Sequence, residues 1–174
     1  MEGLLGGTMK YLLALSFLVF PPTATAQKSM SEYTSAQRAA LQSFIAKNPA
    51  YRFIPEAWFE EETLKAARSE WGFGKNFKPY YQTGDFNRDG IRDFAVILLT
   101  GKNVNDPDRR MHVVVFNGAK GGKYRVARIQ HEEFSTAVFI STNRNKLYVG
   151  VMETDSAGCF VPDGRGYKVI PCGN

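Results

Sequence analysis

The chain reads as an α+β domain in which two N-terminal helices precede an antiparallel meander sheet of six or seven strands. Apolar residues recur at helical spacing as far as Trp71, and from Phe94 onward short β-rich runs alternate with turn residues at a period of two. The connections between those runs are too short for crossover helices, so neighbouring strands are expected to pair antiparallel. Helices segregated from strands along the chain define the class.

Residues 1–26 come before this domain and read as a secretory signal. Lys10 leads an apolar run from Tyr11 to Phe20, Pro21-Pro22 follows, and the small residues Ala24-Thr25-Ala26 place cleavage before Gln27. The run is too short for a mature membrane span, which takes about 20 apolar residues. No cysteine follows the cleavage point, so a lipid anchor is not expected either. The expected product, residues 27–174, is a single periplasmic or secreted domain. A chain of about 150 residues has room for a substantial core. The formal charge of +5 is unchanged by cleavage, because the segment carries one lysine and one glutamate. Basic residues are scattered rather than clustered, which argues against a nucleic-acid partner and fits a soluble monomer.

The first helix starts at Thr34-Ser35-Ala36-Gln37, where threonine is the N-cap and Gln37 reaches back from the third helical position. Leu41, Phe44 and Ile45 form its apolar stripe, and Asn48-Pro49 ends it. A second helix is expected from near Pro55, carrying Trp58, Phe59, Leu64, Ala67 and Trp71 before Gly72 and Gly74 stop it. Its Glu60-Glu61-Glu62 run sits at the positive end of the helix dipole. The expected strands then run from Phe94 to Leu99, His112 to Phe116, Tyr124 to Ile129, Thr136 to Ile140, Leu147 to Met152, Cys159 to Val161 and Tyr167 to Ile170.

Export places Cys159 and Cys172 in a compartment where disulfides persist. A tight turn centred on Arg165-Gly166 would set them opposite each other, so a cross-strand bond is expected. Closing a loop of about 14 residues contributes roughly 3 kcal/mol in the chain-entropy view.

The segment richest in chemistry is Gly84-Asp85-Phe86-Asn87-Arg88-Asp89-Gly90-Ile91-Arg92-Asp93, which runs directly into an apolar strand. Side-chain oxygens fall at loop positions 1, 3, 5 and 9, with glycine at position 6 for a sharp turn. Calcium takes six to eight hard oxygens in a flexible shell, and such a loop supplies them from Asp85, Asn87, Asp89, the Ile91 carbonyl and Asp93. Position 12 is Val96, so the bidentate glutamate of an EF-hand is missing. A solvated turn is the alternative reading. The pattern resembles the calcium loop of FG-GAP and VCBS type repeats, in which the corresponding positions ligate calcium. That resemblance implies the same ligand set here: Asp85, Asn87, Asp89, Ile91 through its backbone, and Asp93. It covers the loop alone and occurs once, whereas propellers need several copies. The whole layout is also similar to small bacterial exported proteins with one such loop.

Catalytic signals are sparse, and no enzyme is favoured. The two histidines are His112 and His131, and no nucleophile elbow, phosphate loop or zinc-ligand spacing occurs. The sequence therefore points to a calcium-stabilised, non-enzymatic binding domain of the cell envelope or extracellular space, its partner a protein or envelope polymer. The alternatives are a small envelope hydrolase using His131 with Glu132, Glu133 or Glu153, and an inhibitor of a hydrolase. The aromatics from Trp58 to Tyr81 are expected mainly in the core, with a sugar- or peptide-binding groove as the second possibility.

Overall fold

The computed structural model describes residues 32–54, 61–101, 106, 108–132, 138–152, 154 and 157–172. The signal segment, Trp58, Phe59, Glu133 and Glu153 lie outside the described residues. The elements in order are α1 (Ser35–Lys47), β1 (Arg52–Phe53), α2 (Glu61–Ser69), β2 (Tyr81–Gly84), β3 (Asp93–Thr100), β4 (Arg110–Ala119), β5 (Lys123–Glu132), β6 (Val138–Asn143), β7 (Lys146–Val151), β8 (Ala157–Asp163) and β9 (Gly166–Pro171).

The α+β class holds, and the sheet arrangement differs from the expected single meander. Among the described residues nine strands form two antiparallel sheets, one of β1 to β5 and the other β6-β7-β8-β9. All seven expected strands are present. The two additional ones are β1 and β2, which share one edge of β3: Arg52 and Phe53 pair with Leu99 and Leu98, and Tyr81 to Gly84 pair with Val96 to Asp93. Two residues and an un-alternating Tyr-Gln-Thr-Gly carry no periodicity, so neither strand announces itself locally.

The division into two sheets follows from β3. Asp93 to Leu99 is buried without a break, which places apolar side chains on both faces of its sheet. Phe94, Val96 and Leu98 join Val114 and Phe116 of β4 beneath Leu41 and Phe44 of α1. Ala95, Ile97, Leu99, Val113 and Val115 point the other way, against Val138, Ile140, Leu147, Val149 and Phe160 of the second sheet. Helix, sheet and sheet therefore stack in three layers. A single meander would have left the odd-numbered face of β3 and β4 in water.

α1 begins with the expected reciprocal cap: the Gln37 N–H donates to Thr34 Oγ1 at 3.2 Å and the Thr34 N–H donates to Gln37 Oε1 at 2.9 Å. Gln37 is buried, and its Oε1 also accepts from the Tyr81 hydroxyl at 3.0 Å, so the cap ties α1 to β2. Within the described residues the second helix spans Glu61–Ser69, and it stops before Trp71. The backbone then takes positive φ at Gly72 (78°) and Gly74 (84°), turning Trp71 and Phe73 outward to 41% and 36% exposure. These two rings therefore lie outside the core in which they were expected.

Cys159 and Cys172 are bonded, with Cα atoms 5.2 Å apart, through a register other than the expected one. Asp163 pairs with Gly166, so the turn is Gly164-Arg165 and Cys159 lies opposite Ile170. Cys172 reaches Cys159 diagonally from just beyond β9, where its N–H donates to Ala157 O at 3.1 Å. Among the described residues, no helix is long and apolar enough to cross a membrane.

Candidate functional site

The loop between β2 and β3 is built on two left-handed residues, Arg88 (φ 62°) and Gly90 (φ 82°), with the Phe86 ring buried beneath as an anchor. This winding brings the backbone N–H groups of residues 89 to 91 to the loop's own side chains. The Asp89 N–H donates to Asp85 Oδ1 and to Asn87 Oδ1, both at 3.0 Å. Gly90 N–H donates to Asp85 Oδ2 at 3.0 Å, and Ile91 N–H to Asp89 Oδ1 at 2.8 Å. Asp89 Oδ2 accepts from Asn87 Nδ2 at 2.8 Å. Three of the expected ligands, Asp85, Asn87 and Asp89, are thus gathered around one turn. Arg88 and Arg92 are exposed.

Asp93 plays a different part. It is fully buried at the start of β3 and works as a clasp. Its Oδ2 accepts the N–H of Phe86 at 2.8 Å and of Asn87 at 3.2 Å, while Oδ1 accepts the N–H of Gly118, on β4, at 2.8 Å. The Tyr167 hydroxyl, from β9, lies 3.4 Å from Oδ2 and donates to Asn117 Oδ1 at 2.7 Å. One side chain thereby joins the loop, both central strands and the second sheet. Burial pushes the Asp93 carboxyl above the ordinary range, while the three N–H donors pull it partly back; burial, then the nearby Asp93 charge, likewise raises the Tyr167 phenol. Gly118 is required for the approach, because a Cβ there would stand 2.4 Å from the carbonyl oxygen of Arg92.

The donor chemistry at the loop fits calcium: the half-buried Asp85 and exposed Asp89 carboxylates and an amide oxygen on one turn are hard oxygen ligands, without nitrogen or sulfur. Among the described residues no three His, Cys, Asp or Glu side chains form a ready cluster for a metal ion. With four lone-pair sites on a carboxylate and three taken by N–H donors, Asp93 keeps one, on Oδ1.

A cleft of about 930 Å³ lies beside the loop on the seam between the two sheets. Trp71, Phe73 and Phe77 form one wall, with Phe73 stacked on Phe77 at a centroid distance of 4.4 Å. Tyr81, Gln82 and Thr83 of β2 form its floor, and Thr142, Asn143 and Tyr148 the other wall. Gln82 pins the seam: its Nε2 donates to Ile140 O at 3.1 Å and its Oε1 accepts from the Thr142 hydroxyl at 3.3 Å. Lys78 is the one charged residue among the described lining, and it is ion-paired with Glu32. β2 both floors this cleft and leads directly into Asp85, so the cleft and the loop share a strand.

The two histidines also come together. His112 and His131 are register partners on β4 and β5, with Nδ1 atoms 2.7 Å apart, and His112 Nε2 lies 2.7 Å from Thr100 Oγ1. His112 is buried and His131 is exposed. Burial first, then the proximity of His131 and Arg110, lowers the His112 pKa to about 4, so the ring is neutral at physiological pH. Nothing in their spacing along the chain announces the pair. Their pairing depends on the β4–β5 register, which has a bulge between Val115 and Phe116 that no local signal marks. His131, proposed beside carboxylates in the hydrolase alternative, has His112 as its hydrogen-bond partner.

No family model matches the chain, and no curated protein or solved structure is significantly similar to it.

Proposed function

We propose that the mature chain is an exported, non-enzymatic binding domain whose aromatic cleft takes an uncharged segment of an envelope polymer, and whose acidic loop binds calcium to steady that cleft. The observation that carries the reading is the cleft's lining. Exposed Trp71 and Phe73 offer flat apolar surface, which soluble domains expose with a purpose when it is contiguous, and Asn76, Asn143, Thr142 and Tyr148 offer amide and hydroxyl groups around it. With Lys78 neutralised by Glu32, this lining suits a neutral glycan or peptide backbone better than an ionic ligand. Calcium at Asp85, Asn87 and Asp89 would hold the end of β2, and with it Tyr81, Gln82 and Thr83. The Cys159–Cys172 bond is in keeping with an oxidising compartment outside the cytoplasm.

The test is titration of the purified domain with soluble oligosaccharides released from envelope preparations, followed by calorimetry. Wild type is expected to bind, and Trp71→Ala to lose about 2 kcal/mol of binding, the scale of an aromatic anchor. Equal binding by the two proteins, or none by the wild type, removes the cleft from consideration.

A further inference from the structure

The histidine pair has the parts of a second, chemically distinct ion site. His112 and His131 project from paired positions of adjacent strands, with their Nδ1 atoms 2.7 Å apart and ring planes crossing at 88°. A neutral pair in this arrangement shares one proton, one Nδ1–H donating and the other Nδ1 accepting. The Thr100 hydroxyl contacts Nε2 of His112, and Tyr51 packs edge-on against the same ring at 5.1 Å. That arrangement fixes the inner ring and directs its Nδ1 at its partner. Metal-bound histidines characteristically have the second nitrogen held by a hydrogen-bonding oxygen of a carboxylate, backbone carbonyl or water, and the Thr100 hydroxyl supplies such an oxygen here. The outer ring, His131, is exposed and leaves the site open to solvent.

We propose that the His112–His131 pair binds a divalent d-block ion that favours imidazole nitrogen at right-angle positions, with Cu2+ preferred. Two nitrogens about 2.05 Å from a metal stand about 2.9 Å apart at a right angle and about 3.4 Å apart in a tetrahedron. The Nδ1 atoms face each other 2.7 Å apart, so the exposed His131 ring must swing by roughly 2 Å for both lone pairs to meet on one ion held by the fixed His112 ring. Cu2+ is favoured over both Ni2+ and Zn2+ because it binds nitrogen ligands the most tightly of the three. When the ion enters, the shared proton leaves the gap. If it came from His131, that ring takes up a proton at its exposed Nε2 and presents Nδ1 to the metal. The neutral pair then gains the ion without net proton loss, and water fills the remaining positions. Arg110, on the same strand as His112, opposes any added positive charge and keeps the affinity moderate.

The probe is Cu2+ alone, titrated into the purified chain near neutral pH with millimolar calcium present to compete at the loop carboxylates. Calorimetry and electron paramagnetic resonance are the readouts. One equivalent with hyperfine structure from two nitrogens is expected. His131→Gln, at an exposed position, should retain the wild-type melting curve and lose at least about 100-fold in affinity, exceeding the 10- to 100-fold typical of an outer-shell loss; Thr100→Val should lose about tenfold. Asp89→Ala should bind copper as wild type does. Copper affinity unchanged in His131→Gln, or lost in Asp89→Ala alone, overturns the proposal.

Discussion

Between Asp85 and Asp93 every candidate donor lies in one run of consecutive residues, whereas His112 and His131 are 19 positions apart and meet only because β4 and β5 pair in one register. The loop is held by its own backbone: two left-handed residues turn three N–H groups onto Asp85, Asn87 and Asp89. The histidines are held by the sheet and by Thr100. The two regions also differ in chemistry, hard oxygens against borderline nitrogens, and hence in the ions they suit. A local site can be read from spacing, because the donors travel with the turn that positions them. A non-local site has no spacing to read.

The sharpest way to break this comparison is through Asp93, the loop carboxylate that ties the loop to both sheets. Asp93→Ala leaves the buried N–H groups of Phe86 and Gly118 and the half-buried one of Asn87 without their acceptor. At about 1–3 kcal/mol for each unsatisfied donor, a loss of about 4 kcal/mol is expected in urea unfolding. A loss below about 1.5 kcal/mol would show that the loop is joined to the sheets by something other than this carboxylate.

Calcium is expected to act more gently. An ion that binds the folded state alone stabilises by about 2.7 kcal/mol at 100 times its Kd, so millimolar calcium should raise the melting temperature. Magnesium should do less, because it demands a smaller octahedral shell. Asp89→Ala should remove the effect while leaving the Asp93 clasp in place. If calcium moves the wild-type melt no further than that of Asp89→Ala, the loop is a turn and the oxygens serve only its backbone.

The histidine pair should report itself through pH, measured with a chelator present. His112 titrates near 6.5 when unfolded and near 4 when folded, so the unfolded chain binds the extra proton first. Its contribution to stability is therefore complete above about pH 6.5 and is lost as the pH falls toward 4. Up to about 2 kcal/mol should disappear between pH 6.5 and about pH 5, before most carboxylates titrate. The same window in His112→Gln should be nearly flat. An equal slope in both proteins would mean that the pair is not buried enough to matter, and the contrast with the loop would weaken accordingly.

By itself the sequence determined those features whose cause is local. The capping box at Thr34 and Gln37, the seven strands with alternating or continuous apolar runs, the turn chemistry at residues 85–93 and the existence of a Cys159–Cys172 bond all follow from neighbours within a few positions, or from a hairpin closing on itself. Even there the turn moved by one residue and the pairing by two, setting Cys159 opposite Ile170 in place of Cys172, because turn position is decided by packing as well as by glycine. Tertiary structure decided the rest. β1 and β2 exist because β3 has an edge to cover, and two sheets replace one because β3 and β4 are apolar on both faces. Trp71 and Phe73 came outward because the chain turns at Gly72 and Gly74, leaving them to form the wall of a cleft. Asp93 became a clasp because Gly118, 25 residues away, presents an N–H where no side chain fits. His112 found His131 for the same reason: a contact between distant residues is set by which buried surfaces must meet, and no stretch of neighbouring residues contains that information.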